Sequence, residues 1–179
     1  RTASHAERLG PRRPLGAAPL RSVTAGSSRG PLGPYNRGMS SKRQIMVGNV
    51  PVGGGAPVAV QTMTKTETAN HAQTLAQIHR VAEAGADIVR CAVPRVQDVE
   101  ALRDHILPNT PIPIIADIHF NHTLAIKAME AGVHCIRINP GNIGGPDKVA
   151  EVVAKAKEHG VPMLIGVNSG SQPYDLIDL

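Results

Sequence analysis

From residue 45 onward, short apolar runs alternate with longer stretches in which apolar residues recur every three or four positions. The runs cover 45–50, 58–64, 86–93, 112–118, 133–138 and 161–167, are rich in Val and Ile, and are bounded mostly by Gly, Pro or polar residues, so they read as strands. The helical spacing covers about 68–84, with Leu75, Ile78, Val81 and Ala82 on one face, and about 96–107, with Val99, Leu102 and Ile106. It returns over 123–131 and 146–159. Gly85, Pro108, Gly132 and Gly160 punctuate the ends of these helices, and 51–57, with three consecutive glycines, reads as a turn.

Strands that recur with helices between them are the signature of consecutive βαβ units and a parallel sheet, so the fold class is α/β. Right-handed crossovers then bring every strand's C-terminal end to one rim. The polar residues collect there: Gln61, Thr62 and Thr64, then Arg90, Asp117 and His119, then Arg137 to Asn142, then Asn168 to Gly170. The regular repeat, with no nucleotide fingerprint after its first strand, favours a (β/α)8 TIM barrel over a doubly wound sheet. The repeat supplies about five strands of the eight, which predicts a truncated barrel over 44–179.

The rim holds one stretch with a definite chemical character. Arg137-Ile138-Asn139-Pro140-Gly141-Asn142-Ile143-Gly144-Gly145 leaves a strand and enters a helix at Pro146. An arginine fork, two amides and three glycines at a helix N-terminus suit a phosphate. The competing reading is an ordinary βα loop in which the glycines only turn the chain.

Charge at first suggests a different partner, because the chain carries a formal +5. Residues 1–43, however, hold nine of the 19 Lys+Arg and one of the 14 Asp+Glu, leaving ten basic and 13 acidic residues in the remainder. The basicity belongs to an Arg-, Pro-, Gly- and Ser-rich leader that is expected to be disordered. It reads either as a transit peptide or, the favoured reading, as sequence upstream of a natural start at Met39. With no Trp, one Phe and two Tyr, the chain offers no stacking platform for nucleic acid, and no apolar run is long enough for a membrane span. The two cysteines, Cys91 and Cys135, lie in strand-like runs and cannot by themselves ligate a metal cluster. His119 and His122 at HxxH spacing make a weak metal signal, so no metal site is expected.

The motifs GADIVR, ADIHF, RINPGNIGG and IGVNSGS, together with VGNVPVGGGAPVAVQTMTKT, occur in the order and spacing of one family. From about 44 to 171 the chain resembles the N-terminal half of 4-hydroxy-3-methylbut-2-enyl diphosphate synthase, an enzyme of the methylerythritol phosphate route to isoprenoids. The resemblance implies reductive ring-opening and dehydration of 2-C-methyl-D-erythritol 2,4-cyclodiphosphate. It implies a [4Fe-4S] cluster whose ligands are absent from this chain, ferredoxin or flavodoxin as electron donor, a homodimer when full length, and a cytoplasmic location. Residue by residue, it assigns Arg90, Arg137, Asn139, Asn142 and Asn168 to substrate binding, and Asp117 and His119 to orienting a hydroxyl or relaying a proton. It also implies an arginine where this chain has Leu164, and so a weaker hold on the phosphates. For Arg90 and Arg137 the residues leave an alternative open, pairing with a carboxylate inside the barrel. Two other readings of the whole are a barrel resembling dihydropteroate synthase and a non-catalytic half-barrel that pairs with another chain.

Overall fold

The computed structural model describes residues 41–168; the expected leader up to residue 40 and the segment 169–179 lie outside the described residues. The first element corrects a sequence expectation. The run 45–50 is not one strand followed by a turn but parts of two arms, β1 (Gln44–Val47) and β2 (Val50–Gly53), paired antiparallel with Val47 opposite Val50. That register leaves Gly48-Asn49 as a two-residue turn, and Gly48 at φ +57° supplies the left-handed first position that such hairpins need.

Five further strands form one parallel sheet: β3 (Gln61–Met63), β4 (Ile88–Ala92), β5 (Ile114–Ile118), β6 (Cys135–Ile138) and β7 (Met163–Ile165). Their spatial order is their sequence order, β3-β4-β5-β6-β7. A doubly wound sheet reverses its order at a switch point; this one does not, which is the barrel arrangement expected. Among the described residues β3 and β7 are the two edges of this sheet. The expectation of a buried strand over 58–64 therefore fails at its start, where Val58 and Val60 are exposed.

Helices α1 (His71–Glu83), α2 (Val96–Ala101), α3 (His122–Glu130) and α4 (Pro146–His159) fall between the strands. The expected regular helix over 96–107 is interrupted. After α2 the chain widens into a π-turn over Leu102–Ile106, in which Leu107 N–H reaches the Leu102 carbonyl, and ends as a 3₁₀ turn over Leu107–Asn109. Pro108 supplies the cause: it has no N–H, and its ring would collide with the carbonyl four residues back in a regular helix. The apolar face is preserved, since Val99, Leu102 and Ile106 are all buried.

Alternation along the strands divides the core in two. Val89, Cys91, Ile114, Ala116, Ile118, Ile136 and Ile138 point to the helix side and pack with Ile78, Leu102, Ile106, Leu124 and Val152. On the other face Ile88, Ile115 and Cys135 pack with Val47 of the hairpin, flanked by Ile45, Val50, Val52 and Leu164. The hairpin thus seals one end of the sheet's inner face with an apolar floor.

Candidate functional site

Each inner strand carries a charged or small residue two positions after its floor residue, because side chains alternate with period two. Ile88 is followed by Arg90, Ile115 by Asp117, Cys135 by Arg137 and Leu164 by Gly166. The residues so raised above the floor meet. Arg90 Nε lies 3.1 Å from Asp117 Oδ2, and Arg137 Nη1 donates to Asp117 Oδ1 at 3.2 Å. Asp117 is 2% exposed, whereas the Arg90 and Arg137 side chains keep 28% and 17%. The carboxylate is therefore enclosed, while both arginine side chains remain partly exposed.

The two arginines are held differently. Arg137 makes an aligned hydrogen bond, and its guanidinium lies over Gly166: a Cβ there would stand 2.7 Å from Arg137 Nε and 2.9 Å from Cζ. Arg90 is close enough to Asp117 for an ion pair, but its Nε is buried and has no hydrogen-bond acceptor in line. Its Nη2 instead faces Met63 Sδ at 3.4 Å, a weak acceptor. His119, just beyond β5, places Nε2 3.9 Å from Asp117 Oδ2, outside hydrogen-bond range. The alternative left open by the sequence, arginines paired to a carboxylate within the barrel, is thus realised for both.

The loop after β6 is built by Asn139. Its side-chain oxygen accepts from Gly141 N–H at 3.1 Å, and its backbone carbonyl accepts from Asn142 N–H at 3.0 Å. Asn139 is buried and Ile143 anchors the loop in the core, while Asn142 is half-buried. Gly144 and Gly145 adopt φ +109° and +99°, which lets the chain enter α4 at Pro146 without a side-chain cap. The Lys148 side chain folds back over Gly144, with Nζ 3.2 Å from where a Cβ would stand. Asn168 is exposed just past β7.

Other candidates separate from this group. His122 Nε2 faces Glu151 Oε2 at 3.5 Å instead of joining His119, and the described residues hold no cluster of three or more His, Cys, Asp or Glu suited to a metal ion. Cys91 faces the helices and Cys135 the floor; burial pushes their thiols up to about 11 and about 12. Two residues important to the site carried little signal of their own. Gly166 matters by the space it leaves for Arg137. Lys148 lies in the first turn of a helix, where spacing alone marks a solvated lysine.

Residues 42–178 match the family described as the GcpE TIM-barrel domain. The chain belongs to the GcpE TIM-barrel domain family. Its relatives include proteins named 4-hydroxy-3-methylbut-2-en-1-yl diphosphate synthase (flavodoxin). The one from Aquifex aeolicus is 56% identical over 136 residues, 76% of this chain and 38% of that protein. That from Ruegeria pomeroyi is 53% identical over 152 residues, 84% and 40%, and that from Magnetococcus marinus is 52% identical over 136 residues, 76% and 36%. This GcpE-type chain spans about two fifths or less of the curated relatives it matches.

Proposed function

We propose that this chain forms the diphosphate-binding wall of an enzyme that opens 2-C-methyl-D-erythritol 2,4-cyclodiphosphate reductively, with loss of water, to give 4-hydroxy-3-methylbut-2-enyl diphosphate. The observation that carries this reading is the pair of part-exposed arginines, Arg90 and Arg137, projecting from the strands on either side of β5 and joined by Asp117 on the inner face beside an apolar floor. Charge-assisted, partly bidentate bonds to phosphate are what such guanidinium groups make best. The glycine loop, the uncapped start of α4 and the Lys148 ammonium beside it offer further anion contacts on the same rim. In this reading Asn139 shapes the loop, Asn142 and Asn168 line the pocket, and His119 is the group placed to move a proton to or from the substrate oxygen.

The reaction consumes two electrons. The relatives' names support flavodoxin as the donor, with ferredoxin the alternative, and we place the enzyme in the cytoplasm as a homodimer. A [4Fe-4S] cluster would carry the electrons, but the cysteines of this chain do not fit one, being buried on opposite faces of the sheet. Its ligands are assigned outside this chain. What the present residues do is bind and orient the diphosphate and keep water from beneath it.

Calorimetric titration of the 179-residue chain with the cyclic diphosphate tests the reading. Arg137→Met is expected to lower affinity by roughly tenfold or more, the worth of a hydrogen bond to a charged group. Unchanged affinity would remove the phosphate role.

A further inference from the structure

We propose that Asp117 is a positioning residue, and that its carboxylate, with the void at Gly166, sets the two arginines at the spacing a diphosphate requires. The inference rests on the diphosphate reading above and assigns Asp117 a role other than direct proton transfer.

Three observations lead there. Asp117 is almost wholly enclosed, and each of its oxygens faces a different arginine, Oδ2 toward Arg90 and Oδ1 toward Arg137. A group so covered by two cations is poorly placed to touch a substrate hydroxyl. Next, the arginines come from strands on either side of β5, so one carboxylate between them fixes both guanidinium groups against their mutual repulsion. Finally, Arg137 occupies the place a side chain at 166 would take, so its orientation is set from two sides, by Asp117 and by the bare backbone of Gly166. Arg90 has less aligned contacts, with a buried Nε lacking an acceptor in line. An anion at the rim would give its remaining N–H groups the partners that Met63 supplies only weakly.

Simple charge counting and positioning predict opposite signs. Two arginines and one aspartate leave a single net positive charge. Asp117→Asn raises that to two while keeping shape, so charge counting predicts tighter anion binding. Positioning predicts weaker binding, because the amide cannot hold both guanidinium groups in place.

The experiment titrates inorganic pyrophosphate into the 179-residue chain and its Asp117→Asn, Asp117→Glu, Gly166→Ala and Asp117→Asn/Gly166→Ala variants, with thermal melts to confirm folding. Positioning predicts that Asp117→Asn and Gly166→Ala each weaken binding roughly tenfold, and that the double variant loses less than the product because both act through Arg137. Asp117→Glu, which retains the charge, recovers part of the loss. Pyrophosphate binding that is unchanged or tighter in a folded Asp117→Asn chain overturns the positioning role and leaves the diphosphate reading intact. If Asp117→Asn alone does not fold, Gly166→Ala and Asp117→Glu decide it, and wild-type affinity in both overturns it. A wild-type chain that takes up no pyrophosphate overturns both readings together.

Discussion

The hairpin turn at Gly48 lies against the sheet, and replacing that glycine by alanine measures how firmly. Gly48 holds φ +57°, a conformation that costs an L-residue about 1–2 kcal/mol. An added Cβ would stand 2.9 Å from His134 Cδ2 and 2.9 Å from Pro113 Cγ. Carbon atoms prefer about 3.5–4.0 Å, and neither neighbour is the loose end of a long side chain, so overpacking adds about 1–3 kcal/mol. The total, about 2–5 kcal/mol, is a large part of a domain's stability. Gly55 is the internal control: it has φ +84° but nothing within 4 Å of its virtual Cβ. Gly55→Ala therefore bears the strain alone, about 1–2 kcal/mol. Urea unfolding of the two variants and the parent, compared at common m-value, isolates the contact term. If Gly48→Ala costs no more than Gly55→Ala, the turn does not pack on His134 and Pro113, and the sealed floor is wrong.

His134 makes the same end of the sheet sensitive to acid. Its Nδ1 accepts from Ile114 N–H at 3.1 Å, and burial holds its pKa below the usual 6.5. The folded state thus binds the proton less readily than the unfolded one, so its contribution is full above pH 6.5 and is lost as pH falls from there through the lowered value. Melting temperatures across pH 4–8 should show a loss that His134→Gln removes; an identical profile in that variant would rule out His134 as the cause. Cys91 and Cys135, with thiols raised to about 11 and about 12 by burial, should react with Ellman's reagent at pH 8 only after denaturant is added. Fast native reaction would contradict their burial. Leu164→Arg should lower stability by about 1–3 kcal/mol through overpacking of the floor while tightening pyrophosphate binding, since residue 164 is in register with Arg137. Calorimetry showing no gain in affinity would discard the third-cation expectation.

How far the sequence could be read depended on whether each feature was local or reciprocal. Pro146, the period of α4 and Gly160 mark a helix by nearby residues alone, and the helix observed is the one expected, 146–159. The ends of β5 and β6 were equally local, and they place Asp117 and Arg137 at the same C-terminal rim. The hairpin is hidden in the sequence because the apolar run continues through Gly48-Asn49, and only the backbone sign at Gly48 divides it. The π-turn leaves no mark in the sequence because Leu102 and Ile106 keep the apolar spacing of a regular helix. At the site, the sequence supplied both arginines and the aspartate but not their mutual contacts. Register between β4, β5 and β6 decides those contacts, and no single strand contains it. Gly166 is the extreme case, since what matters there is another residue's side chain occupying its space.

The inner face can then be understood as two rows written by one alternation. The lower row, Ile88, Ile115, Cys135 and Leu164, is apolar and closed by Val47 of the hairpin. The upper row, Arg90, Asp117, Arg137 and Gly166, holds two cations, one anion and one void. Excluding water beneath the upper row strengthens every charge interaction in it, which would make two neighbouring unpaired arginines costly. Asp117 relieves that cost and still leaves positive charge facing the mouth, so the rim is ordered before any anion arrives. Leu164 packs with the lower row but is in register with Arg137, so an arginine there would bring its charge in beside a guanidinium already supported by Asp117. Leu164 instead completes the dry floor, and the binding strength left to this chain rests on how Asp117 and Gly166 aim two arginines.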